Sequence, residues 1–141
     1  MTSSDPSSGF RLPSGRVTAV LGPDTARCGL LGRLDAGTAR GVLTVTSGRG
    51  RTAAERVAAL AQAAAHRPAL VLVDRLTDGL DAADRRSVLA ALRTLAAAGP
   101  AVLVDDADPV AALAVADNAL RVDLDGSVVA DDLAASTRHA A

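Results

Sequence analysis

Four short apolar runs, each stopped by glycine or aspartate and each followed by a helix-forming stretch, constrain this chain more than any other feature. "RVTAVLG" (16–22), "GVLTVTSG" (41–48), "ALVLVD" (69–74) and "PAVLVDD" (100–106) are rich in Val and Leu and show little or no polar alternation. Strands buried on both faces read this way. Helices are expected over 28–37, 52–68, 81–99 and 108–117. Thr52 with Glu55 three residues on forms a capping-box pattern, Asp81 stands at a cap, and Pro109 stands at a first helical position. "ALRVDLDGSVVA" (119–130) reads as a hairpin turning at Asp125-Gly126. Buried strands alternating with helices predict an α/β domain with a mainly parallel sheet and flanking helices, closed by a C-terminal β-hairpin. Ligands of such sheets sit beyond the carboxyl ends of the strands. Here those ends are Gly22, Asp74 and Asp105–Asp106.

Composition removes whole classes of chemistry. All 15 basic residues are arginine, so the chain has no lysine to neutralise a phosphate, form a Schiff base or act as a base. Alanine fills 32 of 141 positions, so the core must be built from Ala, Val and Leu. One cysteine, Cys28, excludes an internal disulfide and a multi-cysteine metal site, and His66 and His139 are too few and too distant for zinc. The net charge of −1 and the lack of a basic stretch argue against nucleic acid as a partner. The opening "MTSSDPSSG" has no basic or apolar signal-peptide region, and no apolar run reaches membrane-spanning length. A cytoplasmic protein is expected, with residues 1–9 a disordered lead, 10–131 the α/β domain and 132–141 a tail.

The first strand runs into "LGPDTARCGLLGRLDAG" (21–37), a near-miss to the phosphate-loop pattern G-x-x-x-x-G-K-[ST]. Gly22 is in place, whereas Arg27, Cys28 and Gly29 stand where Gly, Lys and Ser or Thr belong. Downstream, "DRLTDGLD" (74–81) follows the third strand, "DDADP" (105–109) the fourth, and "DGSVV" (125–129) turns the hairpin.

In this order the segments resemble the nucleotide-binding subunit of ATP-binding-cassette (ABC) transporters, a branch of the P-loop NTPases, over most of residues 10–131. The resemblance implies a P-loop NTPase-like fold. It implies a relic phosphate loop at Gly22, Pro23, Asp24, Thr25, Ala26, Arg27, Cys28, Gly29 and Leu30, and a Mg²⁺-supporting position at Asp74. ATP and Mg²⁺ are the implied cofactors if that relic still binds. The implied partners are a second copy, an intact ABC ATPase or an integral membrane protein, which would set the chain at the inner face of a membrane.

The departures fall where the family's chemistry lies. Thr25 and Arg27 replace loop glycines, Cys28 the lysine and Gly29 the hydroxyl residue. Arg75 takes the place of the glutamate that polarises water, a type of group worth about 10²–10⁴-fold in rate, and an ion pair with Asp74 is expected for it. Ala107 replaces the γ-phosphate histidine, while Asp108 and Pro109 remain. Asp74 follows Gly22 by only 52 positions, so the helical subdomain is missing, and "GRTAA" (50–54) stands where the signature motif belongs. Phe10 falls on an apolar strand position, which leaves no aromatic platform for adenine.

The expected function is a non-hydrolysing accessory or regulatory subunit with no catalytic residues. Two readings stand beside it. One is a weak ATP binder or slow ATPase in which Arg27 and the loop backbone hold phosphate. The other is an unrelated α/β interaction domain, which a sheet placing Gly22 and Asp74 on non-adjacent strands would favour. Three further features have plain structural explanations: Cys28 as a small filler, His66 as the end of a helix, and the arginines of 85–93 as a solvated helix face. A phospho-accepting pocket made of Asp74 with Asp105–Asp106 would lack the lysine such receivers use.

Overall fold

The computed structural model describes residues 12–37, 41–48 and 50–133. The lead over 1–9, Phe10, His139 and nearly all of the tail expected from 132 onward lie outside them. The element order is β1 (Val17–Leu21), α1 (Asp24–Gly37), β2 (Val42–Thr46), α2 (Ala53–Ala65), β3 (Leu70–Asp74), α3 (Ala82–Ala97), β4 (Ala101–Asp105), α4 (Pro109–Val115), β5 (Asn118–Val122) and β6 (Val128–Asp132). The strands form one sheet in the order β2-β3-β4-β1-β5-β6. All neighbours pair in parallel except β5 and β6, which form the antiparallel hairpin expected at the C-terminal end.

The caps form as the sequence predicts. Thr52 and Glu55 complete a capping box on α2, Asp81 accepts from the Asp84 N–H on α3, and Asp108 accepts from the Ala111 N–H with Pro109 opening α4. His66 ends α2, its Nδ1 lying 2.9 Å from the Gln62 carbonyl oxygen.

Strand alternation divides the apolar side chains between two cores. Val17, Ala19, Val71, Val73, Val102 and Val104 face one side, where α3 lays Val88, Leu89, Leu92 and Leu95 over them and α2 adds Leu60. Val20, Leu72, Leu103 and Leu120 face the other side, under Leu30 and Leu31 of α1. Each fully buried Val or Leu stabilises the fold by about 1.5–3 kcal/mol. Among the described residues, Ala, Val and Leu close the layers without aromatic filling.

Two expectations need correction. First, α1 begins at Asp24, not at 28. Proline followed by an acidic residue is a helix-start signal, and the Arg27 N–H already donates to the Pro23 carbonyl at 3.0 Å. The loop after β1 is therefore only Gly22 and Pro23 long. Second, β4 lies between β1 and β3, so Gly22 and Asp74 end non-adjacent strands.

Candidate functional site

The carboxyl ends of β1, β3 and β4 converge on one group of charged side chains. Gly22 ends β1 with φ +132°, and a Cβ there would lie 2.2 Å from the Val122 carbonyl oxygen. Its lack of a side chain is thus required by the approach of β5, whatever the adjoining loop binds. Asp24, Thr25 and Ala26 form the first turn of α1, where N–H groups have no partner within the helix. Cys28, expected as a partly buried filler, is instead exposed on the outer side of α1 beside Gly29, and Leu30 turns into the core.

Arg27 points back over the strand ends. Its Nε donates to the Gly22 carbonyl at 3.0 Å, one terminal nitrogen to Asp24 at 3.1 Å, and the other to Asp105. Asp105 is 1% exposed, and its second carboxylate oxygen has no partner among the described residues. Burial pushes the Asp105 carboxyl above its ordinary value, and the Arg27 guanidinium only partly opposes this.

Arg75 adopts the left-handed conformation, φ 53°, which is unfavourable for a residue with a side chain. Its N–H donates to the Asp105 carbonyl at 2.8 Å. Its guanidinium reaches Asp24 rather than the expected Asp74. The left-handed turn at Arg75 carries its side chain across the strand ends to the start of α1. The Arg75 Nε is buried with no partner among the described residues. Asp74 pairs in register with Asp105, and burial raises its carboxyl, with Asp78 adding to the effect.

A second polar layer lies behind the first. The buried Thr77 hydroxyl donates to Asp106 at 2.6 Å and accepts from Arg85 Nε at 3.2 Å. Asp106 also accepts from the Asp108 N–H at 2.9 Å. Asp105 and Asp106 therefore serve different partners and do not join Asp74 in one acidic pocket. Among the described residues, no group of three or more His, Cys, Asp or Glu is placed to hold a metal ion.

Arg56, 5% exposed, was not singled out by the sequence. It donates to the Arg51, Leu76 and Asp78 carbonyls and ties α2 to the loop after β3. Its position inside the apolar stripe of α2 was the available signal. The arginines of 85–93 are likewise not simply a solvated face. Arg86 is exposed, but Arg85 is half-buried against Thr77, Leu80 and Asp108, and Arg93 donates to the Val115 carbonyl at 2.8 Å.

No family model matches the sequence, and no curated protein matches it. Solved structures do. One described as the ATP-binding subunit of an ABC transporter has a TM-score of 0.59 at 13% identity, over 92% of this chain and 84% of its own. A nucleotide-free ATP-binding cassette from an ABC transporter has a TM-score of 0.64 at 9% identity, over 94% of this chain and 87% of its own. The fold is that of an ABC-transporter ATP-binding cassette. A bacterial ABC exporter with ATP bound matches at TM-score 0.59 and 14% identity over 92% of this chain, which spans only 36% of the exporter.

Because the cassettes superpose on nearly the whole chain with β4 lying between β1 and β3, non-adjacency of Gly22 and Asp74 does not separate the readings as expected. The cassette fold accommodates it. What this chain sets at the strand ends of that fold is a closed set of ion pairs: Asp24 with Arg27 and Arg75, and Arg27 with Asp105. These donors fit a nucleotide with Mg²⁺ poorly, because both guanidiniums already face protein carboxylates and, among the described residues, no group of three or more such ligands gathers around Asp74.

Proposed function

We propose that this chain is a non-hydrolysing cassette-like domain, an accessory or regulatory subunit of a membrane-associated complex whose stability does not depend on ATP. The observation that carries the reading is the position of Arg27. It bonds Gly22, Asp24 and Asp105, so the strand ends are joined by side chains of the protein itself. Arg75 and Ala107 stand in place of the two residues that the family resemblance assigns to polarising water and contacting the γ-phosphate, which supports a domain that does not hydrolyse ATP. Partners fitting this role are a second copy, an intact ABC ATPase, or an integral membrane protein. No helix among the described residues is long and apolar enough to cross a membrane. A place at the cytoplasmic face, reached through a partner, is consistent with this.

Titration calorimetry with Mg-ATP tests the reading. No saturable heat is expected. Saturable micromolar binding that Arg27→Ala abolishes would establish the weak ATP binder instead.

A further inference from the structure

The two edges of the sheet are guarded differently. β6 carries Asp131 and Asp132, and Asp131 pairs with Arg121 at 3.2 Å. β2 lies at the opposite edge, and the run 41–48 around it holds no charged residue and no proline. Charges and prolines are the devices that keep an open edge from pairing. The register shows which backbone groups of β2 are open. Val42 is the Cα partner of Leu70, whose N–H donates to the Gly41 carbonyl at 3.0 Å. In a parallel ladder of that phase, Leu43 and Val45 bond β3, while Val42, Thr44 and Thr46 turn their N–H and C=O groups outward. Those outward groups have no backbone partner among the described residues.

We infer that this edge is an interface between two copies of the chain, with β2 pairing antiparallel to β2 about a twofold axis through Thr44. The two six-stranded sheets then join into one. In this register Thr44 lies opposite its own copy, and Val42 lies opposite the copy's Thr46. Three facing pairs, each exchanging two bonds, satisfy every open group of both strands. That is on the order of six bonds, within the roughly 5–15 of a typical protein interface. Between these pairs Leu43 faces the copy's Val45, where side chains lie closest, and both belong to the α2–α3 core layer. The layer therefore runs on across the axis. A twofold axis sets a residue against its own copy, so a strand without charges meets itself without repulsion. The inference deepens the accessory-subunit reading, on which it rests, by choosing a second copy among the partners proposed.

Sedimentation at concentrations up to millimolar, with hydrogen exchange of single amides, tests it. The wild type is expected to dimerise reversibly, the amides of Val42, Thr44 and Thr46 gaining protection as the dimer forms. The carboxylates flanking the axis are those of Asp35, each accepting from a Thr44 hydroxyl at 3.0 Å, so added salt should tighten the dimer by screening them. Thr44→Pro removes an outward N–H and spares the β2–β3 ladder. It should fold, as shown by circular dichroism and cooperative melting, and associate at least about tenfold more weakly. Thr46→Lys puts a charge on the same edge at an exposed position and should also weaken association. Ala130→Pro makes the proline change at an outward position of β6 and should leave the dimer as it is. A wild type that stays monomeric, with these amides exchanging freely, overturns the inference. Protection of the same amides in a monomer also overturns it, because another segment of the chain then covers the edge. So does a dimer that neither β2 variant weakens. Mg-ATP binding would overturn the proposed non-hydrolysing role while leaving the β2 pairing in place, so the two failures are distinguishable.

Discussion

At the scale of single residues, the strand ends are governed by whether each buried polar atom has a partner. Thr77 is fully buried and its hydroxyl is shared between Asp106 and Arg85. Thr77→Val preserves the shape but removes a donor from a buried carboxylate. It should destabilise the protein by about 1–3 kcal/mol, measured as a lowered denaturation midpoint with an unchanged slope. Asp74 behaves oppositely. Burial raises its carboxyl and no ion pair among the described residues offsets the effect, so its charge opposes folding at neutral pH. A group raised in the folded state binds protons there more readily, so its penalty is full above the folded pKa and fades as pH falls towards the unfolded value. Asp74→Asn should therefore raise the melting temperature at pH 7, with the gain shrinking on acidification; an unchanged or lower melting temperature at pH 7 contradicts this. Gly22→Ala combines φ +132° with a Cβ 2.2 Å from the Val122 carbonyl oxygen. The backbone strain alone costs about 1–3 kcal/mol, and the loss should appear in thermal melts without any ligand. A glycine kept only for phosphate would tolerate the change.

At the scale of elements, much was legible before the structure, because caps and apolar runs are local. Thr52 with Glu55, Asp81, and Asp108 with Pro109 each start the helix they announce, β1 to β4 fall within the four apolar runs, and the hairpin of β5 and β6 overruns its expected bounds by one residue at its start and two at its end. The start of α1 was misplaced because the phosphate-loop likeness of 22–29 competed with a local helix-start signal at Pro23-Asp24, and the local signal prevailed. Arginine partners were not legible. A long flexible stem lets Arg27, Arg56 and Arg75 reach acceptors from distant segments, and no sequence spacing records that. Arg56 makes the consequence measurable. It joins α2 to the loop after β3 through carbonyls of Leu76 and Asp78. Arg56→Ala should cost about 3 kcal/mol, as expected for charge-assisted bonds lost from a buried site. Hydrogen exchange should show residues 75–80 losing protection before β3 and β4; uniform loss across the sheet would mean the tie is not local.

At the scale of the whole molecule, the two cores are opposite faces of one sheet, with alternating residues of the inner strands β1, β3 and β4 contributing to one and then the other. In β3, Val71 and Val73 belong to the α3 side, and Leu70 and Leu72, alternating with them, to the α1 side. Neither layer can be lost without exposing the strands that support the other, so the chain should unfold as one cooperative unit. Leu92 on α3 is 0% exposed and Leu30 on α1 is 1% exposed. Truncating either to alanine should cost about 2–5 kcal/mol. Both variants should shift the same single urea transition, followed by circular dichroism, without changing its slope. A second transition in Leu30→Ala, leaving the α3 side folded, would show that the layers are separable. The same unity sets the response to nucleotide. Ligand at a hundredfold excess over its dissociation constant adds about 2.7 kcal/mol to the stability of any domain that binds it, and in one cooperative unit the whole transition would move by several degrees. Here the ion pairs of Asp24, Arg27, Arg75 and Asp105 already join the three strand ends. The transition should therefore stay in place when millimolar Mg-ATP is added, while Arg27→Ala alone should lower it.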